Sequence, residues 1–290
     1  MNFKPTLVLL TLVIGVTASP ARAAGAQQAV VVDQYSGGFK DDYLQELPRV
    51  RTYLPLAQPE ISVQLGLVQY GHGFLHPVNV RFTDGAPAIA ENPFFYVRPS
   101  QTADGAFSQD LMVNVEAYAR RSRDAQWDAR ALRNAFYYAT AQLILNDLSG
   151  GQTDKALPLW AQEGLCVYAA SDGKRFVKLV GETSTRSKAM NLVCDLNRPD
   201  EYLTPREWAN YYLAIQFIAN QGSNALQGFV RNVVAGRSPA DTVRDVMSME
   251  WPDFESNVRE YAYQSFLTYA PEDTFDNTRR GALGSRPDRQ

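Results

Sequence analysis

Glu163 stands in an apolar frame, Leu157-Pro158-Leu159-Trp160-Ala161-Gln162-Glu163-Gly164-Leu165. A carboxylate so placed must either help hold a metal or find a hydrogen-bond donor, because an ionised acid in an apolar cleft is costly without a partner. Catalytic zinc takes three protein ligands and a water, and two histidines one helical turn apart plus a carboxylate make such an open site. The chain has only His72 and His76. They lie in Gly71-His72-Gly73-Phe74-Leu75-His76-Pro77, where the glycines and Pro77 predict a loop running into a strand. Residues four apart in extended chain are separated by roughly 13 Å, too far to share one ion. Both imidazoles are expected to pack in a turn or lie at the surface.

Other chemistries find little support. The sequence has no G-x-S-x-G elbow, phosphate-cradling glycine loop, C-x-x-C pair or carboxylate cluster of metal-site type. Cys166 lies inside an apolar helical pattern without a neighbouring histidine, which does not suit nucleophilic attack. Cys166 and Cys194 are the two cysteines. A disulfide between them would stabilise by about 3 kcal/mol through chain entropy; the alternative is that Cys166 is a buried thiol. Spacing leaves both readings open.

Residues 1–23 carry Lys4, an apolar run from Leu7 to Val16 and then Ala21-Arg22-Ala23. This pattern predicts a secretory signal peptide and an exported protein, periplasmic or extracellular. The run is shorter than the about 20 residues that span a bilayer, and no later segment is expected to cross one. Removing Lys4 and Arg22 makes the formal charge of −3 two units more negative. That balance argues against nucleic acid as a partner, since phosphate neutralisation needs clustered positive charge.

The elements that must position Glu163 follow from periodicity. The spacing predicts a short helix over Asp42 to Tyr53 stopped by Pro55, then strands at Ile61 to Val68, Val78 to Phe82 and Leu111 to Val115, with a turn at Asp84-Gly85. A long helix is expected from an Asp128 cap to Gly150-Gly151, apolar on two faces and therefore sandwiched. Further helices are expected at Leu159 to Ala169, from Pro205, at Ala225 to Val234, at Ala240 to Met247 and at Trp251 to Tyr269. These define an α+β chain: a sheet region at 24–125, a helical region at 126–271, and a tail at 272–290 whose end, rich in Arg, Gly, Pro and Asp, reads as mobile.

With that order of elements, two strings resemble the peptidase MA-like family of gluzincin metallopeptidases. Trp160-Ala161-Gln162-Glu163-Gly164 is similar to its W-x-x-E-G helix. Tyr211 to Gly222 is similar to its Y-x-x-S-x-x-F-V-x-x-x-G helix, with Ala214 in place of Ser. The resemblance implies a small mixed sheet with a helix, followed by a mainly helical, thermolysin-like half. It also implies Glu163 as a relic of the third zinc ligand and Tyr211 as a relic of an oxyanion-stabilising hydroxyl. The family's HExxH pattern is missing. Laid on the preceding helix it falls on Tyr137, Tyr138 and Ala141; shifted by one residue it falls on Tyr138, Ala139 and Gln142. Neither set supplies two imidazoles and a general base, so zinc is expected to be absent.

The expectation is an exported, non-catalytic pseudopeptidase that binds a peptide or protein through the former cleft, with Tyr137, Tyr138, Glu163 and Tyr211 as site residues. Tyrosine hydroxyls and the strand at Met112 to Val115 would offer an extended peptide its contacts. Tyr137 or Tyr211 is expected to donate to Glu163. The basic cluster Lys174, Arg175, Lys178, Arg186 and Lys188 reads as a solvated face, or as a surface for an acidic partner. The alternatives are a residual metallohydrolase and a purely structural envelope protein whose cleft Tyr137 and Tyr138 fill.

Overall fold

A computed structural model describes residues 30–32, 35–67, 73–85, 92–121, 129–197, 203–222 and 224–273. The expected leader, His72, the Asp128 cap and the stretch from Arg279 to Gln290 lie outside the described residues. In chain order the elements are β1 (Val30–Val32), α1 (Lys40–Gln64), β2 (Val78–Thr83), β3 (Phe95–Gln101), β4 (Phe107–Asn114), α2 (Val115–Arg121), α3 (Ala129–Leu148), α4 (Thr153–Ala156), α5 (Leu159–Ala169) and α6 (Gly173–Glu182). A 3-10 segment at Arg186–Leu192 leads to α7 (Pro205–Asn220), α8 (Ala225–Val234), α9 (Pro239–Met247) and α10 (Trp251–Leu267). The class is α+β, as the sequence implies.

The four strands form one mixed sheet in the order β1-β2-β4-β3, with β3 antiparallel to β4 and the other pairs parallel. Leu111 and Val113 of β4 face the core and are completely buried. The opposite face of the strand is closed by polar groups. Asp110 accepts from Arg81 Nε at 3.0 Å and Arg98 Nη2 at 2.9 Å, and from Asn79 and Ser100. The two arginines cover it with their partly exposed side chains. Because β4 pairs on both edges, Met112 to Val115 offers no free edge to a peptide, which corrects the expectation above.

The predicted strand at Ile61 to Val68 is also corrected, since α1 runs to Gln64 through Pro48, Pro55 and Pro59. Ile61, Val63, Leu65 and Leu67 alternate like a strand, but the pair four apart, Ile61 and Leu65, is fully buried while Val63 is 60% exposed. That is helical burial. A proline inside a helix costs about 3 kcal/mol, so packing must hold this helix. Val50, Leu54, Ala57 and Ile61 supply the buried face. The Gln58 side-chain amide also ties the helix to Gly73, accepting from its N–H at 3.0 Å and donating to its carbonyl at 3.2 Å.

The helix α3 is sandwiched as expected, packed against α1, the sheet and α5. Ala139, Ala141, Leu143, Ile144 and Leu145 are all completely buried. It ends where Gly150 and Gly151 adopt positive φ, at 59° and 79°, and Gly151 N–H closes on the Asn146 carbonyl at 2.8 Å. One core joins the sheet region to the helical region, running from Tyr43 and Val80 through Leu143 and Trp160 to Phe254.

The helices α5 and α8 have the predicted boundaries, while α6 and β3 were not predicted. Prolines occupy the first turns of α7, α9 and α10. No helix among the described residues is long and apolar enough to cross a membrane.

Candidate functional site

The helix α5 is buried along most of its length, so Glu163 enters the interior with it and is only 8% exposed. Trp160 anchors the outer turn among Phe229, Trp251 and Phe254, with ring centroids 5.8 to 6.3 Å away. Gly164 lets α5 approach α7: a Cβ there would stand 2.5 Å from the Tyr211 carbonyl oxygen and 2.8 Å from Ile215 Cγ1. Glycine in this motif is therefore a packing requirement. Tyr211 is fully buried at that contact.

Glu163 receives two donors on one oxygen. The Tyr138 hydroxyl donates to Oε2, and the Trp208 indole N–H donates to the same atom at 3.3 Å. These donors correct the expectation of Tyr137 or Tyr211. Tyr137 projects from a different side of α3, where its hydroxyl donates to Glu60 of α1 and its ring lies under Arg133 at 4.2 Å. Successive helical residues differ by about 100° in direction, so Tyr137 and Tyr138 serve different neighbours. Burial raises the Glu163 carboxyl above the ordinary carboxylate range, and the Tyr138 and Trp208 donors only partly offset it.

Ala141 is completely buried in α3 and has no donor atom to offer. In neither register do the positions that the resemblance would give to zinc ligands fit the metal, because Tyr137 and Ala141, or Tyr138 and Gln142, supply no imidazole. Tyr137 is committed to Glu60, Ala141 is a methyl in the core, and the Glu163 carboxylate is capped by Tyr138 and Trp208. Among the described residues, no three His, Cys, Asp or Glu side chains are grouped to hold a metal.

His76 serves the turn. Its Nδ1 lies 2.9 Å from Asp147 Oδ1, and Asp147 also accepts from the backbone N–H groups of Leu75 and His76 at 2.6 and 2.8 Å. The imidazole meets Phe107 edge-on at 5.0 Å. Asp147, buried in α3, thereby fixes the loop that leads into β2.

Both cysteines are free thiols, so the disulfide reading is not realised. Cys166 is enclosed in α5, where burial and the neighbouring Glu163 charge push its thiol well up, out of the reactive range. Cys194 is held elsewhere. Its backbone N–H donates to Asn210 Oδ1 at 3.2 Å, in a segment that Arg206 also binds through the carbonyls of Leu192 and Val193.

A cleft of about 510 Å³ opens between the first turns of α3, the end of α5, α6 and the start of α7. Asn134 and Tyr138 line it from α3, Val167 and Ala170 from the α5 side, and Trp208 from α7. Glu163 is not in its lining, although both of its donors are. Ser171, in a left-handed conformation at φ 57°, turns the chain from α5 into α6. Gly173 packs directly on the Tyr212 ring, where an added Cβ would stand 2.0 Å away.

Sequence reasoning named Glu163 and Tyr138 as site residues and expected a cleft, but it gave Glu163 other donors and named neither Trp208 nor the α6 wall. The missed signal was α6, in which Phe176, Val177 and Val180 are buried while Lys174, Arg175 and Lys178 are exposed. That spacing is helical. The basic cluster divides accordingly: these three cations line the cleft, and Arg186 and Lys188 belong to the 3-10 segment and are outside its lining. No protein-family model, no curated protein and no solved structure matches this chain.

Proposed function

We propose that this protein is an exported, non-catalytic relative of gluzincin peptidases that binds a peptide or protein segment in the cleft beside α3, α5 and α6. The observation that carries this reading is the sealing of Glu163. Its two donors, Tyr138 and Trp208, form part of the cleft wall, and the carboxylate itself does not line it. An acid so placed is engaged by its two donors and is not set to polarise a water in the cleft.

The resemblance is best aligned with the register shifted by one residue, because Tyr138 is the side chain that faces Glu163. Tyr138, Ala139 and Gln142 then occupy the HExxH positions. This set still lacks an imidazole and a general base. The cleft's volume lies within the range of small-ligand sites, about 300–1,000 Å³, and its wall mixes apolar, aromatic and polar groups as a peptide site requires. That favours a binding protein over a purely structural role with a filled cleft.

The test is capture of a random peptide mixture by the purified protein, with mass spectrometry of what is retained. Intact peptides are expected on the protein and not on the Ala131→Trp variant, which places an indole at the cleft wall; circular dichroism verifies its folding. Equal retention by both proteins, or recovery of cleaved peptides that depends on Glu163, would contradict the reading.

A further inference from the structure

The cleft is basic on a chain that is acidic overall. Arg130, Lys174, Arg175 and Lys178 line it against one acid, Asp172, while the chain carries a formal charge of −3. Asp172 is already engaged. It accepts from Arg175 at 2.7 Å and from Asn134 Nδ2 at 3.1 Å, so its charge is matched inside the wall. Lys178 faces Glu182 at 3.8 Å along the outside of α6. Arg130 and Lys174 are exposed and meet no acidic partner among the described residues. They stand on different elements, α3 and α6, and contribute to one concave surface.

The wall between these cations includes apolar and aromatic groups. Tyr138, Phe176 and Trp208 form part of the wall, with Arg175 stacked on the Phe176 ring at 4.5 Å, and Tyr269 completes it. Resting on the peptide-binding reading above, we propose that the cleft selects acidic peptide segments: an aromatic or aliphatic side chain packs against the wall that Tyr138, Phe176 and Trp208 help to form, and flanking carboxylates meet Arg130 and Lys174. Like charges at a rim reject the wrong partner as effectively as opposite charges recruit the right one. On a chain whose formal charge is −3, this grouping of cations makes the cleft a docking point for a carboxylate-bearing chain.

The experiment compares three end-blocked pentapeptides with a central Phe flanked by Glu, Gln or Lys. Binding to the full-length protein is read by fluorescence anisotropy. At low salt the Glu peptide is expected to bind about tenfold more tightly than the Gln peptide and the Lys peptide more weakly still, a preference that shrinks as salt is raised. The Arg130→Glu/Lys174→Glu double variant should reverse the order. Lys188→Glu, which changes a basic residue outside the cleft, should leave it unchanged. Both variants alter exposed side chains, and thermal unfolding verifies that they fold.

Equal affinity for the Glu and Gln peptides, unaffected by the double variant, would overturn the charge selection while leaving peptide binding intact. Loss of affinity in Lys188→Glu as large as in the double variant would overturn it in favour of overall charge. Binding of none of the three peptides, together with no retention of the random mixture, would overturn peptide binding itself and the selection with it.

Discussion

Glu163 is a buried acid whose environment favours the neutral form, and this gives it a signed pH signature. Its carboxyl in the folded chain is raised by burial above the value it has when unfolded. The corresponding stability is full below the ordinary carboxylate range and is lost as pH rises through the folded value. Glu163→Gln keeps an oxygen for Tyr138 and Trp208 but cannot ionise. Urea titrations from acid to neutral pH are therefore expected to show the parent losing stability relative to this variant, and parallel curves would contradict the assignment. Tyr138→Phe should cost about 1–3 kcal/mol at neutral pH, where the carboxylate loses a donor, and less at acid pH. The sequence located this acid from its apolar frame. It did not identify the donors, because Tyr137 and Tyr138 are neighbours in sequence and only the exact rotation of α3 decides which one faces α5.

Gly164 controls the contact between α5 and α7. Gly164→Ala would drive a methyl into the Tyr211 carbonyl and Ile215, so α5 must shift and carry Glu163 away from Trp208. A loss of about 1–3 kcal/mol is expected from such overpacking, read as a lower urea midpoint with an unchanged slope. An unchanged midpoint would show that the helices have room to separate. The helix α8 was legible from the spacing of its one buried face, and α5, buried nearly all round, from its apolar run between Pro158 and the Ser171-Asp172-Gly173 break. The long α1 was not, because three internal prolines argue against a helix and its tertiary packing, against α3 above all, outweighs them. The short β3 carries just one buried residue, Phe95, and so gave no clear alternation. The helix α6 was obscured by its cations, which drew attention to charge and away from Phe176, Val177 and Val180.

At the scale of the whole molecule, two enclosed acids respond to pH in opposite directions. Burial opposes ionisation of Asp110, but Arg98, Asn79, Ser100 and Arg81 outweigh it and hold its carboxyl below the usual range, so its contribution fades as pH falls. Glu163 loses its contribution as pH rises, so the sheet and the α3–α5 interface are expected to weaken at opposite ends of the acid range. The architecture keeps the cleft open while it seals the acid, and this separation is the core of the proposed non-catalytic role. Sequence shows that imidazoles are few, but the cleft combines side chains from five separate stretches of chain and only folding assembles it. The most direct test is the metal content of the purified protein after dialysis against zinc and then against metal-free buffer, measured by elemental analysis. The account expects far less than one zinc per chain, with no difference between the parent and Glu163→Gln. Retention of one zinc per chain, abolished in Glu163→Gln, would show that Glu163 is a working ligand and contradict the account.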